Sequence, residues 1–215
     1  MLTRVIHRLQ WAEMLNEIII ATSIGPADDP IASLCKNKEW NCFRGSQDDV
    51  LDRYYHAAQA FQADIIIRIT ADCPLIEPRI VDEVLGAFRS QQSTIDYASN
   101  MFPKRTYPRG LDTEAFTFKA LEKAWREDRD PALREHVTQY ILRNPQEFRM
   151  AGITSPRDLS FMRWTVDTWQ DLELVRKIYK HFISEDFSWL EVVSFLELHP
   201  ELLEINRHIN QKPVP

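Results

Sequence analysis

The chain has 215 residues, 44% hydrophobic and 27% charged, with a formal net charge of −6. That length supports one domain with a sizeable core, and the composition is that of an ordinary soluble globular protein. Acids and bases are interspersed with no basic stripe, which argues against nucleic acid as the partner; a nucleotide needs only a few local cations. No apolar run is long enough to span a bilayer, and the N-terminus is too polar for a signal peptide. Cys35, Cys42 and Cys73 form no C-x-x-C pair, so reduced thiols and a cytoplasmic location are expected.

Leu2, Val5, Ile6 and Leu9 recur at helical spacing and predict an opening helix. A strand follows over Glu17 to Ser23, a short helix over Pro30 to Lys38 and a short strand over Asn41 to Arg44 that delivers Gly45 and Ser46. Val50, Leu51, Tyr54, Tyr55, Ala58 and Phe61 mark a helix that leads to a strand at Asp64 to Thr70. Strands alternating with helices of this length favour a mostly parallel sheet flanked by helices. The second half is less regular. It reads as a helix over Ile80 to Phe88, a strand end at Tyr97 to Asn100, a loop over Met101 to Arg109, a strand over Thr113 to Phe118 and helices over Ala120 to Arg126 and Leu133 to Leu142. Strands at Phe148 to Ile153 and Met162 to Val166 precede a helix marked by Leu172, Val175, Ile178, Tyr179 and Phe182. A last helix covers Leu190 to Leu198, and residues 207–215 read as a flexible tail.

The richest stretch runs from Ile65 to Ile76, where a β-branched run ends at Asp72 and Pro74 stops the pairing. In open α/β sheets ligands sit outside the carboxyl ends of the strands, so Asp72 is placed to hold a metal ion against a phosphate; the plainer alternative is a turn or cap. Asp167 also ends an apolar strand before a helix. Magnesium binds through one or two carboxylates plus substrate phosphates, which two strand-end aspartates would supply. Against this, Thr168 and Asp171 form a capping box that Asp167 merely borders. Ser46 to Asp49 has the form of a capping box too, and Gly45 and Ser46 stand where a helix N-terminus attracts anions. Arg68, inside an apolar strand, reads either as a cation aimed at a nucleotide or as half of an internal salt bridge. Arg109 can fork onto a carboxylate or phosphate, and Asp112 can accept sugar hydroxyls. His136 reads as a base, a sugar ligand or a structural histidine. Cys73 is tied by sequence to no histidine and is not a favoured nucleophile.

Gly45 to Tyr55, Asp72 to Ile76, Tyr107 to Glu114, Arg134 to Thr138 and Trp164 to Thr168, in this order and spacing, resemble the spore-coat polysaccharide biosynthesis protein F family. That family belongs with the acylneuraminate cytidylyltransferase-like sugar nucleotidyltransferases. The resemblance covers Met1 to about Asn206. It implies a Rossmann-like nucleotidyltransferase fold in a single domain over 1–215. It also implies magnesium at Asp72 and Asp167, a nucleotide, CTP foremost, beside Gly45 and Ser46, and a sugar or sugar acid near Arg109 and Asp112. A homodimer is implied as well. The family opens with a strand and a glycine-rich loop that cradles the triphosphate. Here Met1 to Leu9 matches the helix after that loop, so the first strand is expected to be missing and its place in the sheet empty. Two rival expectations stand beside the enzyme. One is a truncated relic serving as a binding or assembly protein. The other is a nucleotide-sugar-dependent glycosyltransferase, which the lack of a second acid in Asp72-Cys73-Pro74 disfavours.

Overall fold

The computed structural model describes residues 1–90 and 95–211. The chain order is α1 (Leu2–Leu9), β1 (Ile19–Ser23), α2 (Asp29–Lys38), β2 (Asn41–Gly45), α3 (Val50–Ala60), β3 (Ile65–Arg68), α4 (Pro78–Ser90) and β4 (Tyr97–Ser99). It continues with β5 (Glu114–Thr117), α5 (Phe118–Glu127), α6 (Pro131–Arg134), α7 (Gln139–Arg143), β6 (Met150–Gly152), α8 (Trp169–His181), α9 (Trp189–Leu198) and α10 (Pro200–Leu203).

The strands form two sheets. β1 and β2 pair in parallel, with Ser23 opposite Gly45. The larger sheet runs β3-β5-β4-β6. There β3, β4 and β6 share one direction, and β5 runs against both neighbours. No ladder joins β1 to β3 among the described residues, so each keeps one edge without a strand partner. Two helices span this interruption. On α1, Val5 and Leu9 pack with Ile65 and Ile67 of β3, while Ile6 packs with Ile20 of β1. On α3, Leu51, Tyr55 and Ala58 pack with Ile66 of β3, and the same helix lies against β1 and β2. The largest core cluster sits under β3, β4 and β5, where Leu111, Trp164 and Ile178 are fully enclosed.

Several expectations are corrected. The helix expected over Leu133 to Leu142 is two short ones, α6 and α7, because Val137 adopts a left-handed φ of 59° that no α-helix accommodates. His136 therefore lies in the break rather than on a helix face. The stretch Met162 to Val166 is no sheet strand; it makes one parallel bridge, Arg109 with Arg163. α3 starts one turn later than the Ser46 box suggests. Its N-cap is Asp49, which accepts the Asp52 N–H at 2.8 Å. Ser46 instead accepts the Asp49 N–H at 3.1 Å. Of the expected tail, residues 212–215 lie outside the described residues, while Gln211 is bonded to Arg163 at 2.5 Å.

Candidate functional site

Beyond the carboxyl end of β3 the chain turns at Thr70 to Pro74 and meets the segment 162–167. The Val166 N–H donates to the Asp72 carbonyl at 2.9 Å, and the Thr165 hydroxyl donates to Asp72 Oδ2 at 2.5 Å. This brings Asp72 and Asp167, 95 positions apart by their numbers, to neighbouring backbone positions. Trp164 is wholly buried and Val166 packs on the same core. Alternation along an extended segment then turns Arg163, Thr165 and Asp167 the other way.

Each aspartate has one oxygen held by a short hydrogen bond and the other held weakly or not at all. Asp167 Oδ2 accepts from Arg163 Nη2 at 2.5 Å, and its Oδ1 has no partner among the described residues. Asp72 Oδ1 meets only the Cys73 thiol at 3.6 Å. No three His, Cys, Asp or Glu side chains gather at one point among the described residues. A cation held here would draw on two carboxylates rather than on a closed cage. That donor set fits magnesium, which keeps positions for water and substrate phosphates.

Arg163 is itself fixed. Its Nε reaches Asp171 Oδ1 at 2.9 Å and its Nη2 reaches Asp171 Oδ2 at 3.1 Å. Asp171 is fully enclosed and also takes Asn206 at 2.8 Å and the Thr168 N–H at 3.0 Å. Burial pushes the Asp171 carboxyl up, but Arg163, Asn206 and Thr168 outweigh it and hold it below the usual carboxylate range. A depressed folded value gives stability that is present above the unfolded pKa and is lost as pH falls through the folded one. Asp171→Asn should therefore narrow its stability gap to the parent between pH 6 and pH 3, read by urea denaturation at both; a constant gap would contradict this.

A second cluster borders the first. Gly110, at φ 99°, lies flat on segment 162–167: a Cβ there would stand 2.7 Å from the Thr165 nitrogen and 2.7 Å from the Trp164 carbonyl carbon. The Arg109 N–H donates to Met162 at 3.0 Å, and its carbonyl accepts from Trp164 at 2.8 Å. Asp112 is taken on both oxygens by Arg105. Arg109 is half-buried and donates no side-chain hydrogen bond to the described residues. Burial and the neighbouring Arg105 and Arg163 lower its pKa, with Asp112 opposing them. An arginine left unpaired between two other arginines is a ready partner for an anion.

The remaining candidates fall elsewhere. Arg68 is paired with Glu114 at 2.6 Å, so the internal salt bridge is the form it takes. Glu114 is buried and also accepts from Tyr97 at 2.8 Å and Thr138 at 2.7 Å. His136 is two residues from Thr138, and its carbonyl accepts the Thr138 N–H at 2.6 Å. Gly45 lines a groove of about 410 Å³ with Phe43, Asp52, His56, Gln59 and Ala60, and a Cβ there would stand 2.9 Å from Arg53 Cγ. β2 and β3 are not neighbouring strands, so the adjacency that would bring Gly45 to Asp72 is absent from the ladders. Burial pushes the Cys73 thiol well up, with Asp72 and Asp112 adding to it, which disfavours the thiolate. Sequence reasoning missed Arg163, Thr165 and Arg105. The alternation Arg-x-Thr-x-Asp before a capping box was the available signal for the first two.

Known proteins share this architecture. Over 209 residues the chain is 36% identical to an uncharacterized protein, MJ1063, of Methanocaldococcus jannaschii, covering 96% of this chain and 84% of that protein. Over 204 residues it is 28% identical to the spore coat polysaccharide biosynthesis protein SpsF of Bacillus subtilis, covering 91% of this chain and 82% of SpsF. The structure of a cytidylyltransferase from Leptospira borgpetersenii superposes with a TM-score of 0.90 at 31% identity, over 99% of this chain and 87% of that one. A CMP:2-keto-3-deoxy-manno-octonic acid synthetase complexed with CTP shares the fold, with a TM-score of 0.63 at 17% identity over 84% of this chain and 87% of that one. The family model for cytidylyltransferases matches residues 1–197, and the chain belongs to that family.

Proposed function

We propose that this chain is a sugar cytidylyltransferase, which joins the cytidylyl group of CTP to a sugar or sugar acid and releases pyrophosphate. The observation that carries this reading is the pair Asp72 and Asp167, drawn together beyond one sheet edge, each with one oxygen held weakly or not at all. Magnesium held by these two would offset the triphosphate charge as pyrophosphate leaves. The acceptor oxygen, its proton passing to solvent, attacks the α-phosphorus; a new P–O bond forms, and the bond from the α-phosphorus to the oxygen that bridges to the β-phosphate breaks, releasing pyrophosphate. The protein's part is positioning and charge complementarity. Arg109, with no side-chain partner among the described residues, takes an anionic group of the acceptor, and the Arg105–Asp112 pair borders the sugar. Gly45 and Ser46 lie towards the base and ribose. The polysaccharide role in the name of the Bacillus relative supports a nucleotide-activated sugar for surface polysaccharide as the product. A cytoplasmic homodimer fits the same reading.

Pyrophosphate release from each nucleoside triphosphate with a panel of sugars and sugar acids tests it. CTP and magnesium are expected to be required, and Asp72→Ala is expected to lose roughly 10²–10³-fold. Release of a nucleoside diphosphate instead would identify a glycosyltransferase. No turnover with any pair of substrates would favour a binding or assembly protein.

A further inference from the structure

Each aspartate of the candidate metal pair is held through one oxygen by a side chain from a single extended segment. Thr165 holds Asp72 Oδ2 at 2.5 Å, and Arg163 holds Asp167 Oδ2 at 2.5 Å. The torsion that turns a carboxylate plane is broad and roughly two-fold, so an unheld carboxylate points its lone pairs over a wide range. A hydrogen bond on one oxygen narrows that range and aims the other oxygen. The two holders differ in chemistry. Thr165 contributes a neutral hydroxyl, and Arg163 contributes a charged fork.

Both are anchored. Thr165 is nearly buried, with 7% exposure, and its backbone meets Gly110. Arg163 is 8% exposed and is locked by Asp171 on two nitrogens, by Gln211 on a third and by Asn206 on its carbonyl at 2.9 Å. Asp171 also accepts the Asp167 N–H at 3.2 Å, so the backbone that carries Asp167 is fixed to the same hub. An ion pair built only for stability would not need the partner's other oxygen left open. Here both carboxylates show that asymmetry.

We propose that Thr165 and Arg163 are positioning residues that aim Asp72 and Asp167 at a shared divalent cation, with Asn206 and Gln211 of the C-terminal segment completing the hold on Arg163. The proposal rests on the metal reading above. Outer partners of this kind are worth about 10–100-fold in metal affinity.

The test is Mn²⁺ binding in the presence of CTP, followed by electron paramagnetic resonance, together with thermal unfolding. It uses the full chain and needs no turnover. Thr165→Val removes the hydroxyl at constant shape. It is expected to weaken Mn²⁺ binding about 10–100-fold with little change in melting temperature, and Thr165→Ser is expected to restore it. Arg163→Lys cannot bridge two carboxylates and is expected to weaken binding similarly; if it fails to fold, Asn206→Ala replaces it, with a smaller loss. Parent-like Mn²⁺ affinity in Thr165→Val and in the Arg163 or Asn206 variant would overturn the proposal, as would tighter binding. Asp72→Asn and Asp167→Asn separate the two levels. If these lose Mn²⁺ while the holders' variants keep it, positioning alone is wrong. If they too bind as the parent does, or the parent binds none with CTP, the metal reading falls and takes the proposal with it.

Discussion

Replacing Glu114 with alanine is expected to remove about 3–5 kcal/mol of stability, the range for breaking one side of a buried ion pair. Glu114 sits at the start of the central strand β5, in register with Arg68 on one side and Ser99 on the other. Its carboxylate is 2% exposed and gathers Arg68, Tyr97 and Thr138 at once. Burial alone disfavours the Arg68 charge, but Glu114 outweighs it and the arginine's pKa ends up raised. Without Glu114 that charge has no counterion, its Nε is already without a partner, and two hydroxyls lose their acceptor. Urea denaturation of Glu114→Ala measures the loss, and a change under about 1 kcal/mol would count against the ion pair as a stabilising centre. Arg68→Met in the same background should recover much of it, because the cost is the stranded charge rather than the missing attraction.

Gly110→Ala is expected to cost about 2–4 kcal/mol and to weaken nucleotide and Mn²⁺ binding together. Two penalties add. A φ of 99° is strained for any residue with a Cβ, and that Cβ would press on backbone atoms of Trp164 and Thr165 at 2.7 Å, which cannot rotate away as a side chain could. Relief comes only by pushing the 162–167 segment off, and that segment carries Arg163, Thr165 and Asp167. Unfolding and Mn²⁺ titration on one preparation check it. Lost stability with intact binding would show that the segment keeps its place by other contacts.

The first half of the fold was legible because its signals are local. α1 announces itself by an apolar stripe, and β3 by a β-branched run closed by Pro74. β5 was legible as a strand, but its place between β3 and β4 depends on pairings across 46 positions that a single sequence does not display. The α6–α7 break rests on one residue, Val137, whose β-branched side chain gives no hint of a left-handed backbone. At the site, Asp72 was legible as lying beyond β3, whereas the strand expected to end at Asp167 is an extended segment outside the sheet. Arg68 was readable as two things, and only its register opposite Glu114 decides between them. Arg163 went unread, because its partners Asp171, Asn206 and Gln211 meet only in the folded chain.

The interruption between β1 and β3 bears on how the molecule opens. Among the described residues, separating the β1–β2–α2 portion from the rest breaks no β-ladder; it costs the contacts that α1 and α3 make across the gap and the Arg53 hydrogen bond to the Ser46 carbonyl. Such contacts give way at less than the global unfolding energy, so amide exchange should divide into two tiers. Ladder protons of β1 and β2 should exchange through a shared partial opening, with one common denaturant dependence, while those of β4 and β5 should wait for complete unfolding. The protein would then behave as two cooperative units on one chain, with α1 and α3 setting the energy gap between them.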